Sequence, residues 1–341
     1  MKNKKIYILF LIIISIFITA CRKEEVDNDY KIGFITDSEE FKNTRSGQIS
    51  RVLNTIIENR KNVKLFEKIA EKDDDYITDI QSLIDKGCNL IIGNSFLLKE
   101  DFEILAPNNP EIEFLLFDAV TDPEIENIKS VSFKVNESSY LVGYLAGLET
   151  KTNVLGYIGY ESGLISDMYE YGFRAGVADA ADELHKKIEI HIKRVNSMSD
   201  FNQGKKLANE MYDNNVDIIY QTVGYTGLGV IESAKHNDKF VIGYDIDQSY
   251  IAPDNILISS VKNYDMITAQ LVEKYILNTK ESEQNLFYGV KEGGVSAKTI
   301  SDNKNFKSEN YQKMTEKENK IINHEIDIPL NKDTFMKYEV Q

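Results

Sequence analysis

The chain has 341 residues, a net charge of −15 at pH 7, and a composition that is 42% hydrophobic and 28% charged. A chain of this length exceeds one comfortable hydrophobic core, so we expect two domains. The acidic charge disfavours nucleic acid and anionic lipid surfaces as partners, and four histidines outside metal-ligand spacing give no indication of a zinc or haem site.

The N-terminus has the layout of a secretory leader. Three lysines among the first five residues precede an apolar run at 6–18, which is short for a transmembrane helix. Small residues then stand directly before Cys21. A general leader peptidase needs only the small residues, whereas lipoprotein processing also needs the cysteine, whose thiol is acylated before the cut. A lipid anchor on Cys21 is therefore favoured over a secreted protein and over an uncleaved anchor.

The charge and the cysteines of the mature chain follow from this cut. Removing residues 1–20 takes away the three lysines, so the net charge falls from −15 to −18. Residues 21–29 are polar and predict a short tether between the membrane and the body. Cys88 then has no intrachain partner, and its place between a predicted helix and a predicted strand indicates a half-buried apolar thiol.

Residues 30–150 alternate short apolar runs with segments of helical periodicity. Continuous apolar runs predict strands that are buried on both faces, and the periodic segments predict the helices that cover them. The predicted strands are 31–36, 63–67, 89–93, 113–118 and 130–135, and the predicted helices are 46–60, 76–87 and 137–150.

The same alternation starts again at residue 153. The predicted strands are 153–159, 188–194, 216–223 and 239–245, and the predicted helices are 164–184, 203–214 and 227–237, with a further helix at 313–326 in a polar tail. Two such runs imply two α/β lobes, each a parallel sheet with helices on both faces. In that architecture a ligand binds beyond the carboxyl ends of the strands, here in the cleft between the lobes.

Polar residues recur where these strands end. Asp37, Asn94, Asp118 and Asp245 each end or follow a predicted strand, and Gly224 follows another. A carboxylate there can accept two hydroxyls of a diol, and an Asn side chain can both donate and accept. Any one of these residues could instead cap a helix or open a turn. Together they predict a two-lobed protein that binds a small polar molecule.

Four longer segments carry a resemblance to a known family. They are "FLLFDA" (114–119), "VNESSYLVGYLAGL" (135–148), "GYTGLGVIESAK" (224–235) and "VIGYDIDQSYIAPDNILISSVKNYD" (241–265). In order and spacing, over residues 30–300, the chain resembles the basic membrane protein (PnrA-like) family of ABC-transporter substrate-binding lipoproteins, which includes a spirochaete purine nucleoside receptor. The composition, rich in Lys, Asn and Ile, is similar to that of Borrelia members.

This resemblance implies a type I periplasmic-binding-protein fold, in which two doubly wound lobes are joined by a three-strand hinge that crosses near residues 134, 260 and 289. It divides the chain into a signal peptide at 1–20, a tether at 21–29, an N-terminal lobe of 30–133 with 261–289, and a C-terminal lobe of 134–260 with 290–341. It implies hinge closure on a ligand, no cofactor, and two permease subunits and an ATPase as partners.

The resemblance also implies a set of ligand-binding residues. Asp245 would hold ribose hydroxyls, Asn94 and Asp118 would face a nucleoside base, and Lys262 would bind a ligand oxygen or neutralise an acid. The full set is Asp37, Asn94, Asp118, Gly227, Asp245 and Lys262. Unpaired buried carboxylates are unfavourable, so several of them in one cleft need a cation or a hydroxyl-rich ligand.

The sequence departs from the family at the two positions that usually carry base-stacking aromatics. Arg45 occupies the first position, with Phe41 as the nearest aromatic, and Met198 occupies the second. A guanidinium and a thioether can both pack on a π face, so these residues remain candidates for packing on a base. A purine nucleoside is the favoured ligand, and another small polar molecule or no small ligand are the alternatives.

Other function classes fit the sequence less well. "GYESG" (159–163) places Ser162 off the register of a nucleophile elbow, and nothing assembles a catalytic set, so we expect no enzyme and no metal site. A surface lipoprotein that binds a host matrix or serum protein, with ligand binding altered or lost, is the stronger alternative. Both functions place the chain in the cell envelope, on the periplasmic face of the inner membrane or on the outer membrane surface.

Overall fold

The computed structural model describes residues 29–36, 45–70, 76–161, 163–279, 282–299 and 303–338. Four residues named above, Cys21, Asp37, Phe41 and Ser162, lie outside these ranges, as do the predicted signal peptide and nearly all of the tether. Within these ranges no helix is both long enough and apolar enough to cross a membrane.

The described residues form twelve strands in two six-stranded sheets. The strands are β1 (Tyr30–Thr36), β2 (Val63–Ile69), β3 (Leu90–Gly93), β4 (Glu113–Phe117), β5 (Ile128–Phe133), β6 (Val154–Tyr160), β7 (Glu189–Val195), β8 (Ile218–Gln221), β9 (Phe240–Asp245), β10 (Ile256–Lys262), β11 (Asn285–Tyr288) and β12 (Val295–Lys298). Central strands such as β3 and β8 are buried along their whole length, which is why they read as continuous apolar runs.

The second sheet repeats the strand order of the first. The order is β11-β5-β4-β3-β1-β2 in the first sheet and β12-β10-β9-β8-β6-β7 in the second. All neighbouring strands are parallel except β10 and β12. In consequence β4 and β9 occupy equivalent places, as do β5 and β10.

Ten described α-helices cover the two sheets. They are α1 (Arg45–Asn59), α2 (Tyr76–Asp85), α3 (Lys99–Leu105), α4 (Val135–Glu149), α5 (Leu164–Glu183), α6 (Phe201–Asp213), α7 (Thr226–Asn237), α8 (Tyr264–Ile276), α9 (Ser308–Ile322) and α10 (Lys332–Tyr338). Helices α1, α2, α3 and α8 pack with the first sheet, and the others pack with the second. Each sheet with its helices is called a lobe below.

The predicted strands, and the helices before the tail, lie within two residues of the observed bounds. The prediction that the strand at 130–135 includes Lys134 and Val135 is wrong. The strand ends at Phe133, because α4 begins at Val135, and the buried Val135 belongs to the first turn of that helix. The tail helix begins earlier than predicted, at Ser308. Strands β10 to β12 and helices α3, α8 and α10 were not individually predicted.

The chain passes between the two lobes at three places that hydrogen-bond to one another. Lys134 follows β5, and its amide donates to the Tyr288 carbonyl of β11 at 3.0 Å. Asn263 follows β10, and its amide donates to the Gly294 carbonyl at 2.8 Å while its side chain donates to the Gly293 carbonyl at 2.7 Å. These bonds hold the crossing segments side by side between the lobes.

Glycines allow α4 and α5 of the second lobe to pack closely. A methyl group built on Gly176 of α5 would lie 2.0 Å from the Tyr140 carbonyl oxygen of α4. In the reverse direction, a methyl group on Gly143 of α4 would lie 2.3 Å from the Phe173 carbonyl oxygen. Backbone atoms cannot move aside as the end of a flexible side chain can, so this interface depends on the absence of a Cβ at both positions.

We therefore predict that Gly176→Ala destabilises the protein by about 1–3 kcal/mol through overpacking. The sign of this stability change is informative, because Gly→Ala inside an unconstrained helix stabilises the protein by up to about 1 kcal/mol. Urea unfolding followed by circular dichroism measures the effect. Asp182→Ala, at an exposed position of the same helix, is the control and should stay within about 0.5 kcal/mol of the wild type. An unchanged or increased stability of Gly176→Ala would contradict the close packing.

Candidate ligand site between the lobes

Two aspartates end equivalent strands of the two lobes. Asp118 directly follows β4, and Asp245 is the last residue of β9. Both have left-handed backbone conformations, with φ of 60° and 69°. This region is uncommon for residues other than glycine, although Asp is among those that tolerate it, and it persists where surrounding contacts hold it. The contacts of the two carboxylates supply that constraint.

Lys262, the last residue of β10, brings these carboxylates together. Its ammonium lies 2.8 Å from Asp118 Oδ1 and 3.2 Å from Asp245 Oδ1. It also donates to the Tyr264 hydroxyl at 3.3 Å, and that hydroxyl donates to Asp118 Oδ2. The Lys262 side chain is only 9% exposed. A buried cation thus joins an acid of the first lobe to an acid of the second.

The contacts within this cluster favour the charged forms of Asp118 and Lys262. Burial raises the pKa of Asp118, but the charges of Lys262 and Arg45 and hydrogen bonds from Lys262 and Tyr264 outweigh burial, so the pKa lies below its ordinary value. Burial lowers the pKa of Lys262, but Asp118 and Asp245 raise it well above the ordinary value. No group of three or more His, Cys, Asp or Glu residues in the described ranges could hold a metal ion. The Lys262 ammonium contacts both carboxylates directly, and the Arg45 charge adds to its effect on Asp118.

Two oxygen atoms at the strand ends accept no hydrogen bond from any described residue. One is the second carboxylate oxygen of Asp245. The other is Oδ1 of Asn94, which follows β3 and is fully buried. The Nδ2 of Asn94 donates to Ser46 Oγ at 2.6 Å, near the start of α1. A buried acceptor without a donor, such as Asn94 Oδ1, is unfavourable, and the second oxygen of the partly exposed Asp245 can still accept a hydrogen bond. Both atoms therefore suit a ligand that brings hydroxyl or amine hydrogens.

Comparison with known proteins identifies the family. A family model described as "ABC transporter substrate-binding protein PnrA-like" matches residues 47–332. The chain belongs to this family. It is 32% identical over 286 residues to basic membrane protein D of Borreliella burgdorferi (strain JD1), covering 82% of each chain. It is also 30% identical over 341 residues to basic membrane protein A1 of Borrelia garinii subsp. bavariensis, covering 98% of each chain.

A solved structure places this PnrA-like protein in its fold class. A solute-binding protein of an ABC transporter system from Aeropyrum pernix K1 matches with a TM-score of 0.75 and 19% identity, over 90% of this chain and 96% of that chain. The predicted type I periplasmic-binding-protein fold is therefore confirmed. The family consists of substrate-binding proteins, so the chain is not an enzyme. A small-molecule ligand, transporter subunits as partners and an envelope-associated location follow from the family.

Two further residues that were predicted to pack on a ligand base, Arg45 and Met198, lie near the strand ends. Arg45 is the first residue of α1, and its charge lowers the pKa of Asp118, so it lies within electrostatic reach of the cluster. Met198 is 43% exposed, and its sulfur would lie 3.6 Å from a methyl group built on Gly224 in the loop after β8. Their packing on a ligand stays a prediction.

Gly227 is buried in the first turn of α7 and has a structural reason to be glycine. A methyl group on it would lie 2.0 Å from Gln221 Oε1, so its small size allows α7 to approach β8. Its amide already donates to the Gly224 carbonyl at 3.0 Å. The ligand contact of Gly227 remains a prediction. It would involve the loop after β8 rather than this amide.

Three tyrosines near the cluster were not predicted from the sequence. Tyr264 contacts Lys262 and Asp118 as described above. The Tyr244 hydroxyl accepts from the Gly224 amide at 2.8 Å, and burial together with the charge of Asp245 raises the pKa of Tyr244 to about 12. The Tyr169 ring lies 5.8 Å from that of Tyr244. The only available signal was the position of Tyr264, two residues after Lys262 at a strand end.

We predict that Lys262→Met destabilises the protein by about 3–5 kcal/mol near neutral pH, because it removes one partner of a buried ion pair and leaves two carboxylates without the ammonium between them. The pKa of Asp118 should then rise in the folded variant, because Asp118 loses the charge and the hydrogen bond of Lys262. Such carboxylates destabilise the fold when ionised and stop doing so once protonated, so the loss should shrink as the pH falls. Urea unfolding at about pH 5 and about pH 7.5 measures this difference.

The wild type should behave differently over the same range. The lowered pKa of Asp118 contributes stability that is present above the ordinary pKa, near 4, and is lost only below it. The raised pKa of Lys262 contributes stability that is lost only as the pH rises above about 10.5. Lys235→Met, an exposed lysine 3.4 Å from Glu232, is the control and should change stability by less than about 1 kcal/mol at both pH values. An equal loss for Lys262→Met at both pH values would contradict the buried cluster.

Proposed function

We propose that the protein binds a purine nucleoside between its lobes and presents it to an ABC transporter. The observation that carries this proposal is the carboxylate of Asp245, which is held by Lys262 through one oxygen while the other oxygen has no donor among the described residues. A carboxylate fixed in this way can accept the two neighbouring hydroxyls of a ribose.

The charges of the cluster favour a ligand that donates hydrogen bonds. Lys262 already contacts Asp118, Asp245 and the Tyr264 hydroxyl, so an anionic ligand would have to compete with two carboxylates for one ammonium. The acceptors without donors, on Asp245 and Asn94, instead call for hydroxyl or amine hydrogens. A nucleoside supplies both, through its ribose and through the edge of its base.

The base would pack between the lobes near Arg45 and Met198. Arg45 begins α1 in the first lobe, and Met198 precedes α6 in the second, so one side chain comes from each side. A guanidinium stacks on an aromatic plane and a thioether contacts its edge or face. We propose that these contacts, with Phe41, take the place of aromatic rings, and that Asp37, Asp118, Gly227 and Lys262 complete the site.

Closure about the crossing segments would complete the binding step. The Asp118 carboxylate belongs to the first lobe and the Asp245 carboxylate to the second, so a ligand between them contacts both lobes only when they are close together. A ligand stabilises the closed form to the extent that it binds that form more tightly. Permease subunits can then distinguish the loaded protein by its shape.

We predict that a purine nucleoside at about 100 times its dissociation constant stabilises the polypeptide 22–341 by about 2.7 kcal/mol. Thermal unfolding with nucleosides, free bases, sugars and amino acids measures this stabilisation. Asp245→Asn should weaken nucleoside binding on the order of tenfold to 100-fold, because it removes a charged acceptor. Asp254→Asn, at an exposed position outside the cluster, should bind like the wild type.

Nucleoside binding must be tested on protein that carries no ligand. Mass analysis under denaturing conditions would first establish that the purified protein carries no ligand. If this folded and empty protein then shows no stabilisation by any nucleoside, the proposed ligand is wrong. Stabilisation by a sugar or an amino acid would retain the transport function with another ligand. Stabilisation by none of the compounds would favour the host-binding alternative.

We also propose that Cys21 carries the lipid that anchors the protein to the membrane. Several acyl chains give a stable anchor where a single chain gives marginal binding, and lipoprotein processing attaches more than one. Cys88 is not a competing site, because it is 2% exposed and burial raises the pKa of its thiol to about 11.

Lipid labelling of the full chain in a bacterial host tests the anchor. With a clickable palmitate analogue, the wild type and Cys88→Ser should be labelled and should partition into the detergent phase. Cys21→Ser should lose the label and move to the aqueous phase, because it lacks the thiol that is acylated. Retention of the label by Cys21→Ser would show that the lipid is attached elsewhere.

A further inference from the structure

Asp118 differs from Asp245 because both of its oxygens already accept hydrogen bonds. Oδ1 accepts from Lys262 at 2.8 Å, and Oδ2 accepts from the Tyr264 hydroxyl. The Asp118 side chain is 14% exposed. Its hydrogen-bonding capacity is therefore directed largely at the protein rather than at the cleft.

The two partners of Asp118 belong to different lobes. Lys262 is part of β10, which pairs with β9 and β12 in the second sheet. Tyr264 begins α8, which packs against α1 in the first lobe, where Glu273 of α8 forms an ion pair with Arg60. The Tyr264–Asp118 bond thus lies within one lobe, whereas the Lys262–Asp118 bond crosses between the lobes.

Aromatic packing fixes the direction of the Tyr264 hydroxyl. The Tyr264 ring is fully buried and meets the Phe133 ring edge to face, with centroids 5.0 Å apart, and the Phe117 ring at 6.0 Å. Phe117 immediately precedes Asp118, so the same strand end supplies both a ring that packs against Tyr264 and the carboxylate that accepts its hydrogen bond. The hydroxyl is therefore held against Oδ2, and the bond orients the carboxylate so that Oδ1 faces Lys262.

We propose that Asp118, Lys262 and Asp245 form an interlobe latch, and that Tyr264 is a positioning residue that sets the strength of this latch without touching the ligand. The inference rests on the proposed closure of the lobes around a ligand. Opening the lobes would lengthen the contact between Asp118 and the Lys262 ammonium and weaken the charge pairing of a mostly buried carboxylate, which is unfavourable. The latch therefore biases the empty protein toward the closed form.

Ligand affinity should depend on this bias. The apparent affinity of a ligand that binds the closed form falls in proportion to the closed fraction of the empty protein. Loss of the Tyr264 hydroxyl leaves Asp118 free to turn away from Lys262, and it also removes one of the hydrogen bonds that lower the pKa of Asp118. Both effects weaken the latch while the ligand contacts at Asp245 and Asn94 stay in place.

The test compares Tyr264→Phe with Tyr275→Phe. Both tyrosines are buried and lie on α8, but the Tyr275 hydroxyl has no hydrogen-bond partner in the described part of the chain. Nucleoside affinity, measured by calorimetry, should fall about tenfold in Tyr264→Phe, as expected for losing a hydrogen bond to a charged group. It should be unchanged in Tyr275→Phe. Asp118→Asn with Tyr264→Phe should bind as weakly as Asp118→Asn alone, because the hydroxyl acts through the carboxylate.

A second measurement uses no ligand and separates this proposal from the nucleoside proposal. Small-angle scattering of the empty protein should give a larger radius of gyration for Tyr264→Phe and Asp118→Asn than for the wild type and Tyr275→Phe. Absence of nucleoside binding by the wild type would overturn the proposed ligand and leave this comparison intact. The latch is overturned if Tyr264→Phe matches Tyr275→Phe in scattering, or if the Tyr264→Phe and Asp118→Asn effects on affinity simply add.

Discussion

A lysine ammonium buried to the extent of Lys262 is stable only if carboxylates reach it, and this requirement constrains both lobes at once. One carboxylate must come from the first sheet and one from the second, and each must arrive at the carboxyl end of its strand. The left-handed backbone conformations of Asp118 and Asp245 fit this requirement. Such conformations are uncommon for residues other than glycine, and here the surrounding contacts hold them. The rest of the candidate site is arranged around these three side chains.

The repeated strand order explains how two distant segments supply matching acids. The strands β4 and β9 occupy the same place in their sheets, and so do β5 and β10. A lysine lies near the end of each of the latter two: Lys134 follows β5, whereas Lys262 is the last residue of β10. The two lysines differ in their surroundings. Lys134 is 38% exposed and lies 3.9 Å from Glu137, whereas Lys262 is buried between the acids. The duplication therefore provides two equivalent crossing points, and only one of them places its cation between the carboxylates.

Periodicity predicted most elements because buried parallel strands are continuous apolar runs that polar residues end sharply. It failed at Val135, because this residue is buried in the first turn of α4, and an apolar run alone does not distinguish a strand from the start of a buried helix. Prediction of the candidate site was limited in a similar way. Strand-end positions and the family resemblance pointed to Asp118, Asp245 and Lys262. No local pattern reveals the hydrogen bond from the Tyr264 hydroxyl to Asp118, because that bond depends on ring packing between segments 146 residues apart.

The position of the latch determines how it can act. Lys262 is followed directly by Asn263, whose hydrogen bonds to Gly293 and Gly294 tie the second crossing to the third. Atoms close to a pivot move less than atoms at the rim when two bodies rotate about it. Opening the lobes would therefore lengthen the Lys262–Asp118 contact gradually, while the outer edges of the cleft separate much further. A contact so placed biases the closed form without locking it, so a ligand can enter while the two lobes remain electrostatically coupled.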